Sequence, residues 1–325
     1  VPGHVTAGHV GKMSAWAAAQ AINKQALTAL LALDGWSPRN KNGILAHQPC
    51  PVQLSALGGY SPALADPRLV QHMLGGRVSS PPELSTALYH ERLLLLPLGA
   101  APPTPTDDVS IENEGGAVVQ TSRLHEADGE VAALRAKGRE GLGPGAVAMA
   151  VFAKAEEVTA EAAASWGAIL AQTEPACVLV LPGVAPDVQR RLRAEVERGA
   201  AGRKEGKGKG GVSARVLFGN ETLKLAHRLH AADMALDSWG GVSGGPVLGR
   251  AASLGKPFVA LPLEAFHSRS AAEQGLGLSC RGCGYARSPE DFSLLAAAMA
   301  SRLASHPPRS DLPLVEYGSL AEQWG

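Results

Sequence analysis

The stretch from His227 to Gln274, HRLHAADMALDSWGGVSGGPVLGRAASLGKPFVALPLEAFHSRSAAEQ, most constrains what this chain can fold into. It reads as a strand, a glycine-rich turn, a helix and a second buried strand. Ala232 to Asp237 is a short apolar run ending in a carboxylate. Gly240, Gly241, Gly244 and Gly245 then let the backbone turn tightly and approach a ligand. Pro246 suits the opening turn of a helix, where its missing N–H loses no hydrogen bond, and Gly255 with Pro257 stops that helix about three turns later. The free N–H groups across Gly245 to Leu248, those of Gly245, Val247 and Leu248 around Pro246, form a region suited to an anion, so the stretch has the outline of a nucleotide-phosphate site. Asp237 has two readings of equal weight, a strand-end cap that holds the glycine turn or a ligand contact.

The pattern extends along the whole C-terminal half. Val147 to Phe152 and Cys177 to Leu181 read as strands, with Thr159 capping a helix through Gln172 between them. Pro186 to Arg198 is an amphipathic helix with Asp187 near its start and Gly199 just past its end. Ala214 to Phe218 is the next strand and Glu221 to His230 the next helix. After the 232–237 strand, the 246–254 helix and the 257–262 strand, Ser288, Pro289 and Asp291 signal a last long helix. Alternation of this kind implies a parallel, doubly wound α/β sheet with ligands at the carboxyl ends of its strands. The N-terminal half is less regular, with a helix near Ser14 to Gln25, a strand near Leu27 to Leu33 and weaker elements as far as Pro97. The expected division is a partial lobe over 1–98, a Pro-, Gly-, Glu- and Thr-rich linker or insertion over 99–145, and a complete lobe over 146–325. GAAGRKEGKGKGG, residues 199 to 211, reads as a solvated basic loop.

Composition mainly excludes. The 325 residues suit about two domains, and Lys plus Arg equals Asp plus Glu at 30 each, so no global field favours nucleic acid or a membrane surface. Leu93 to Leu98 is broken by Pro97 and falls well short of the ~20 residues that span a bilayer, so a soluble protein is expected. Four cysteines are too few for a disulfide-stapled scaffold. Cys280 and Cys283 form a lone CxxC read as packing rather than zinc. His227 and His230 share a helix face without making a metal site, and no paired-carboxylate motif implies a metal. Trp16, Trp36 and Trp166 are expected in the core. Residues 241–245 spell GxSxG, and Asp291 and His306 follow Ser243 in the order of a serine hydrolase. An elbow serine, however, sits directly at a strand's end, whereas Ser243 comes six residues after Asp237 and just before a proline-opened helix.

Four segments resemble one family, the protein O-linked N-acetylglucosamine transferases and their SPINDLY relatives. AADMALD at 231 to 237 with LGKPFVALP at 254 to 262 is similar to that family's LAD...LD and AG.P.VT.P. FHSRSAAE at 266 to 273 is close to ASRVAAS and runs on into CRGC at 280 to 283 and SPEDFSLLA at 288 to 296. LDGWSPRNKNGILAHQPCPVQLSALGGY at 33 to 60 looks like NGYTKGAR...ALRPAPIQ..WLGYPG. SPPE at 80 to 83 with LYHERLLLLP at 88 to 97 matches SPPE...YSEKL..MP. The resemblance implies a GT-B fold of two Rossmann-like lobes, the N-terminal, acceptor-side lobe being incomplete, with a nucleotide sugar bound by the C-terminal lobe at the interlobe cleft. It implies transfer of N-acetylglucosamine from UDP-GlcNAc to Ser or Thr of proteins in the cytoplasm or nucleus, without metal or other cofactor. GDP-fucose is the alternative donor. A catalytically inactive donor-fold binding module is the alternative function. In the family, tetratricopeptide helices precede the catalytic region, and an intact parent chain would carry them.

Residue by residue, the resemblance carries over unevenly. Arg228 matches an arginine near the donor nucleotide. A histidine three residues before that arginine falls on Leu225, with His227 and His230 near enough to substitute. The family's His-Thr-Thr at the phosphate-binding helix becomes Gly245, Pro246 and Val247, beside Gly244, so the backbone N–H groups survive and the hydroxyls do not. An acidic residue that holds the nucleoside falls on Arg250. The lysine that stabilises the leaving diphosphate falls on Glu157, one helical turn after Lys154, which is the candidate cation if the turn slips by three residues. The histidines proposed for acceptor chemistry lie mostly upstream of residue 33, and no catalytic base is assigned.

Overall fold

The computed structural model describes residues 12–36, 40–56, 63–83, 89–96, 146–151, 153, 157–173, 176–180, 184–201, 211–218, 232–239, 244–253, 256–263, 268–270, 272–273 and 282–305, with backbone alone at 176–180, 244–246, 250 and 253. The chain divides into two compact units, Val1–Ala101 and Pro102–Gly325.

The first unit opens with α1, Ala15–Asn23, capped by the Ser14 hydroxyl, which accepts from the Ala17 N–H. The chain then turns through Ala26 at φ 51° into β1, Ala29–Ala32, so the helix ends before the expected Gln25. A short α2, Asn42–Leu45, leads to β2, Val52–Ser55, and then come β3, His72–Gly76, and β4, Arg92–Leu96. The four strands are parallel and lie in sequence order. Parallel crossovers are right-handed, so strands that always step the same way carry their connections on one face. Accordingly Leu30 and Ala32 of β1 pack against Leu45, Leu64 and Val70. Leu31, Leu94 and Leu96, on the opposite face by register, are exposed. Trp16 and Trp36 are also exposed, at 56% and 57%, contrary to the core expectation. Each uses its amphipathic ring at the surface. Trp16 meets the His47 ring edge-on at 5.1 Å, and the Trp36 indole N–H donates to the Ala63 carbonyl at 2.8 Å.

The second unit is a six-stranded parallel sheet in the order β10-β9-β8-β5-β6-β7. Its strands are β5 Val147–Val151, β6 Ala176–Val180, β7 Val216–Phe218, β8 Met234–Leu236, β9 Phe258–Ala260 and β10 Gly284–Tyr285. The helices that follow these strands include α3 Ala160–Gln172, α4 Pro186–Ala200, α5 Gly244–Ser253 and, after β10, α6 Pro289–Ser305. The chain runs outward from β5 through β6 to β7, then returns to the other side of β5 and runs out through β8, β9 and β10. This reversal lets helices cover both faces. Met149, Val151, Met234, Leu236 and Val259 face a core shared with Trp166 and Ile169 of α3, Leu192 and Val196 of α4 and Phe292 of α6. The alternate residues Ala150, Ala235, Phe258 and Ala260 face Val247, Leu248 and Ala251 of α5. All five residues of β5 are buried, as a central parallel strand requires.

Two boundaries differ from expectation for physical reasons. Gly199 is not a cap, because α4 runs on to Ala200; a Cβ on Gly199 would sit 1.8 Å from the Ala164 carbonyl oxygen. Gly167 on α3 reciprocates, with its Cβ position 1.9 Å from the Val196 carbonyl oxygen. The two helices therefore touch backbone to backbone at two glycines. The expected strand at 214–218 is shortened to β7 because Val212–Arg215 forms a 3₁₀ turn. From that turn Arg215 donates to the Leu170 carbonyl and, at 2.6 Å, to the Thr173 carbonyl, neutralising the C-terminal end of α3. Among the described residues no helix is long and apolar enough to cross a membrane.

Candidate functional site

In a doubly wound sheet the ligand crevice lies outside the carboxyl ends of the two strands where the winding reverses, because the crossovers on either side diverge there. Here those strands are β5 and β8, paired through Val151 and Leu236. Beyond β8 come Asp237, Ser238, Trp239 and, after the glycine-rich residues 240–243, α5. Beyond β5 the chain reaches Lys154 three residues later.

Asp237 is buried and uses both carboxylate oxygens on the backbone. One accepts from the Trp239 N–H at 3.0 Å, the other from the Leu261 N–H at 3.1 Å, so the carboxylate ties the end of β8 to the end of β9. Burial pushes its pKa up to about 6, against the opposing pull of the Leu261, Trp239 and Ser238 amides. Trp239 is held at φ 28°, a left-handed conformation that a bulky residue adopts only when its surroundings force it. The Asp237 hydrogen bond and an edge-to-face contact of the Trp239 ring with Phe292, 4.5 Å between centroids, supply that force. Between the two lies Ser238, 1% exposed, with its hydroxyl buried and without a hydrogen-bond partner. An orphaned hydroxyl at a ligand edge, next to strained backbone, is where a bound polar group would repay the desolvation.

The helix α5 begins at Gly244, two residues before Pro246, so Gly244, Gly245, Pro246 and Val247 form its first turn. Three of the four carry N–H groups with no partner inside the helix, and the positive end of the helix dipole adds to them. Pro246 is tolerated because any N–H in that turn is an orphan. Val247 points the other way, into the core with Leu248 and Ala251. Its side chain is a packing element, and only its backbone is left for a ligand.

Asp233, by contrast, belongs to the amino end of β8, where its carboxylate accepts from the Ala148 N–H at 2.9 Å and its own N–H donates to the Ala148 carbonyl at 2.8 Å. Lys256 donates to the Ala232 carbonyl at 2.9 Å at that same far edge. Both fasten the sheet away from the ligand edge. Beyond β9, Ser268 bridges the chain by donating to the Leu261 carbonyl at 2.9 Å and accepting from the Leu263 N–H at 2.7 Å. Arg269, Ser270 and Glu273 follow, all buried, and Arg269 donates to the Leu263 carbonyl at 3.4 Å. Ser238 was not singled out in the sequence, and the polar residues of FHSRSAAE were noted only as part of a resembling segment, without individual roles. The available signal was SRSAAE itself, two serines and an i, i+4 charge pair in the segment that follows a buried strand.

Lys154, His227, Arg228 and Ser243 lie outside the described residues, as does His306. Asp291, the hydrolase reading's acid, is committed to a capping box. Its carboxylate accepts from the Arg287 N–H at 2.8 Å while its N–H donates to the Ser288 hydroxyl at 3.1 Å. Glu157 lies three residues before the first residue of α3 and is half-buried. Among the described residues no cluster of three or more His, Cys, Asp or Glu side chains could hold a metal ion.

No protein-family model matches the chain, and no curated protein matches it. Among solved structures it is similar to a mutant of the Thermobaculum terrenum O-GlcNAc transferase, with a TM-score of 0.63 and 18% identity over 90% of this chain and 50% of that one. Neisseria meningitidis UDP-GlcNAc 2-epimerase bound to UDP-GlcNAc gives a TM-score of 0.42 at 10% identity, covering 90% of this chain and 72% of that one. Anabaena HepE in complex with UDP and glucose also gives 0.42, at 12% identity over 93% and 79%. These two are too distant to bear on the fold. The chain spans about half the length of the O-GlcNAc transferase structure and shares its fold, parallel α/β units of the GT-B class.

Proposed function

We propose that this chain binds a nucleotide sugar at the β5–β8 switch point and transfers the sugar, N-acetylglucosamine from UDP-GlcNAc, to Ser or Thr hydroxyls of protein acceptors. The observation that carries the reading is the buried, unpartnered Ser238 hydroxyl at the carboxyl end of β8, six residues before α5 begins at Gly244. The fold shared with an O-GlcNAc transferase and the four sequence segments support the donor class. In such a transfer the acceptor oxygen attacks the anomeric carbon as its hydroxyl proton is lost to solvent, and the nucleoside diphosphate leaves with the bonding electrons. The protein's main task is to stabilise the charge that develops on the departing diphosphate. The α5 amides would meet the phosphates, Ser238 would donate to a phosphate or sugar oxygen, and Lys154 would supply the cation. Arg228 and His227 would hold the nucleoside. Asp237 acts as a positioning residue, because both of its oxygens hold the turn.

One observation favours a second reading, a binding module without transfer. Val247 occupies a position where the resembling family has a hydroxyl, and its side chain is buried in the core. The phosphates therefore lose one side-chain donor, worth on the order of 1–3 kcal/mol of charge-assisted hydrogen bonding.

Calorimetric titration with UDP and GDP, repeated on Arg228→Ala and followed by a label-transfer assay on a Ser/Thr-containing protein, tests both. Saturable UDP binding that weakens at least about tenfold in Arg228→Ala, with label transferred, is the expected result. GDP binding in place of UDP would move the donor to GDP-fucose. Binding without transfer would establish the binding module, and no binding of either nucleotide would overturn the proposal.

A further inference from the structure

Among the described residues, the four-stranded sheet of the first unit is packed on one face, against Leu45, Leu64 and Val70. By register Leu31, Leu54, Leu74, Leu94 and Leu96 share the other face. Leu33, one residue past β1, keeps the alternation of Leu31. Leu31, Leu33, Leu94 and Leu96 are 38–52% exposed. Parallel sheets occur almost only with both faces covered, and a contiguous apolar patch left on a surface marks an interaction site. We propose that this face is a self-association surface, covered by the same face of a second copy of the chain about a two-fold axis.

Chemistry, symmetry and size select a second copy. The strands place only two polar side chains on that face, His72 and Arg92, which are register partners at its amino end. There is no acid, and so no charge pattern by which a foreign surface would be recognised. What the face matches is another flat leucine surface, and a two-fold dimer supplies one by making a self-complementary patch meet itself. With the strands antiparallel across the contact, the two polar ends lie at opposite rims in water, and leucine meets leucine between them. Sheets packed face to face sit about 10 Å apart with their side chains interdigitated. Four strands about 4.8 Å apart, each about five residues of 3.3 Å, give a face of roughly 19 by 17 Å, or ~320 Å² per copy. Two such faces with a hydrated rim reach the ~1,000 Å² end of specific interfaces, well short of the roughly 2,000 Å² or more of obligate dimers. A contact this small dissociates reversibly, with a dissociation constant on the order of tens of micromolar.

Leu94 is the middle residue of β4, and Leu31 lies on β1 at the opposite edge of the sheet. A lysine at either position would meet leucine rather than water, and the two-fold axis would bring a second lysine into the same contact. Both side chains are exposed in the single chain, so the substitutions leave the fold of the unit intact. Leu294 on α6, 59% exposed, belongs to the second unit and is the matching control.

The test needs no nucleotide, so its failure is distinct from failure of the donor reading. Sedimentation velocity of the intact chain from about 1 to 200 μM reads association, and photochemical diazirine labelling of the same samples, located by peptide mass spectrometry, reads which leucines become covered. The expected result is a monomer that becomes a dimer with a midpoint of tens of micromolar. Labelling at 29–33 and 92–96 should fall as the dimer forms, while labelling at Leu294 stays constant. Leu31→Lys combined with Leu94→Lys, with unchanged circular dichroism, should raise the dissociation constant at least about tenfold, and Leu294→Lys should leave it unchanged. The labelling is done on the unsubstituted chain, so a variant that misfolds leaves the proposal testable. A monomer throughout the range would overturn it. So would a dimer that survives the double substitution, or labelling at Leu31 and Leu94 that ignores concentration.

Discussion

Ser238 and Asp237 are adjacent, both buried, and do opposite things. Asp237 is fully satisfied and holds the ligand edge together, whereas Ser238 is an orphan. Removing an unpartnered buried hydroxyl is close to neutral for the fold, so Ser238→Ala is expected to unfold within about 0.5 kcal/mol of the parent in urea while weakening UDP binding at least about fivefold. A variant that loses stability and leaves binding untouched would refute the ligand role. For Asp237 the sign of the pH effect is fixed by its raised pKa. The folded state holds the proton more tightly than the unfolded state, so this group's stabilisation is complete below about 3.8 and is lost as pH rises through about 6. Between pH 4.5 and 7 that loss is on the order of 2 kcal/mol. Asp237→Asn should remove this slope, visible as the difference between parent and variant urea midpoints. It should also lower stability at pH 7 by about 1–3 kcal/mol, because an amide NH₂ would face one of the two backbone N–H groups. The strand-end carboxylate was legible as a residue that either caps or binds. Ser238 was not, because nothing in a one-dimensional pattern reveals that a hydroxyl is buried and left without a partner.

Elements were legible where periodicity and punctuation agreed. Thr159 does cap α3 and its hydroxyl accepts from the Ala162 N–H at 3.1 Å; Pro289 opens α6; Val147 begins β5. Where the reading slipped, a tertiary contact had taken over a residue with a strong local meaning. Gly199 looked like a helix stop because glycine commonly ends helices, but the requirement it meets is close approach to α3. Gly167 meets the same requirement from the other side. A methyl at either position would have to push one backbone off the other, so Gly167→Ala and Gly199→Ala are each expected to lower stability by about 1–3 kcal/mol. Thermal unfolding would measure this, and because the two sites share one contact, the double variant should lose less than the sum. Unchanged melting in both single variants would mean that α3 and α4 do not meet at these glycines.

At the scale of the whole molecule, the alternation of strands and helices in the C-terminal half was enough to predict a parallel doubly wound sheet there, because only parallel strands need helical crossovers. Strand order was not legible. Nothing in 146–151 or 234–236 says that β5 and β8 become neighbours, yet that pairing sets where the winding reverses and therefore where a ligand can sit. The central claim is that a nucleotide sugar is held at that reversal, by Ser238 and the first turn of α5. Amide hydrogen exchange of the intact chain with and without saturating UDP tests it most directly. The account predicts slower exchange centred on the segment from Ser238 through Leu248 and reaching Lys154, His227 and Arg228, with α6 and the amino ends of β8 and β9 unchanged. UDP-induced protection centred elsewhere, or none at saturating UDP, would contradict it.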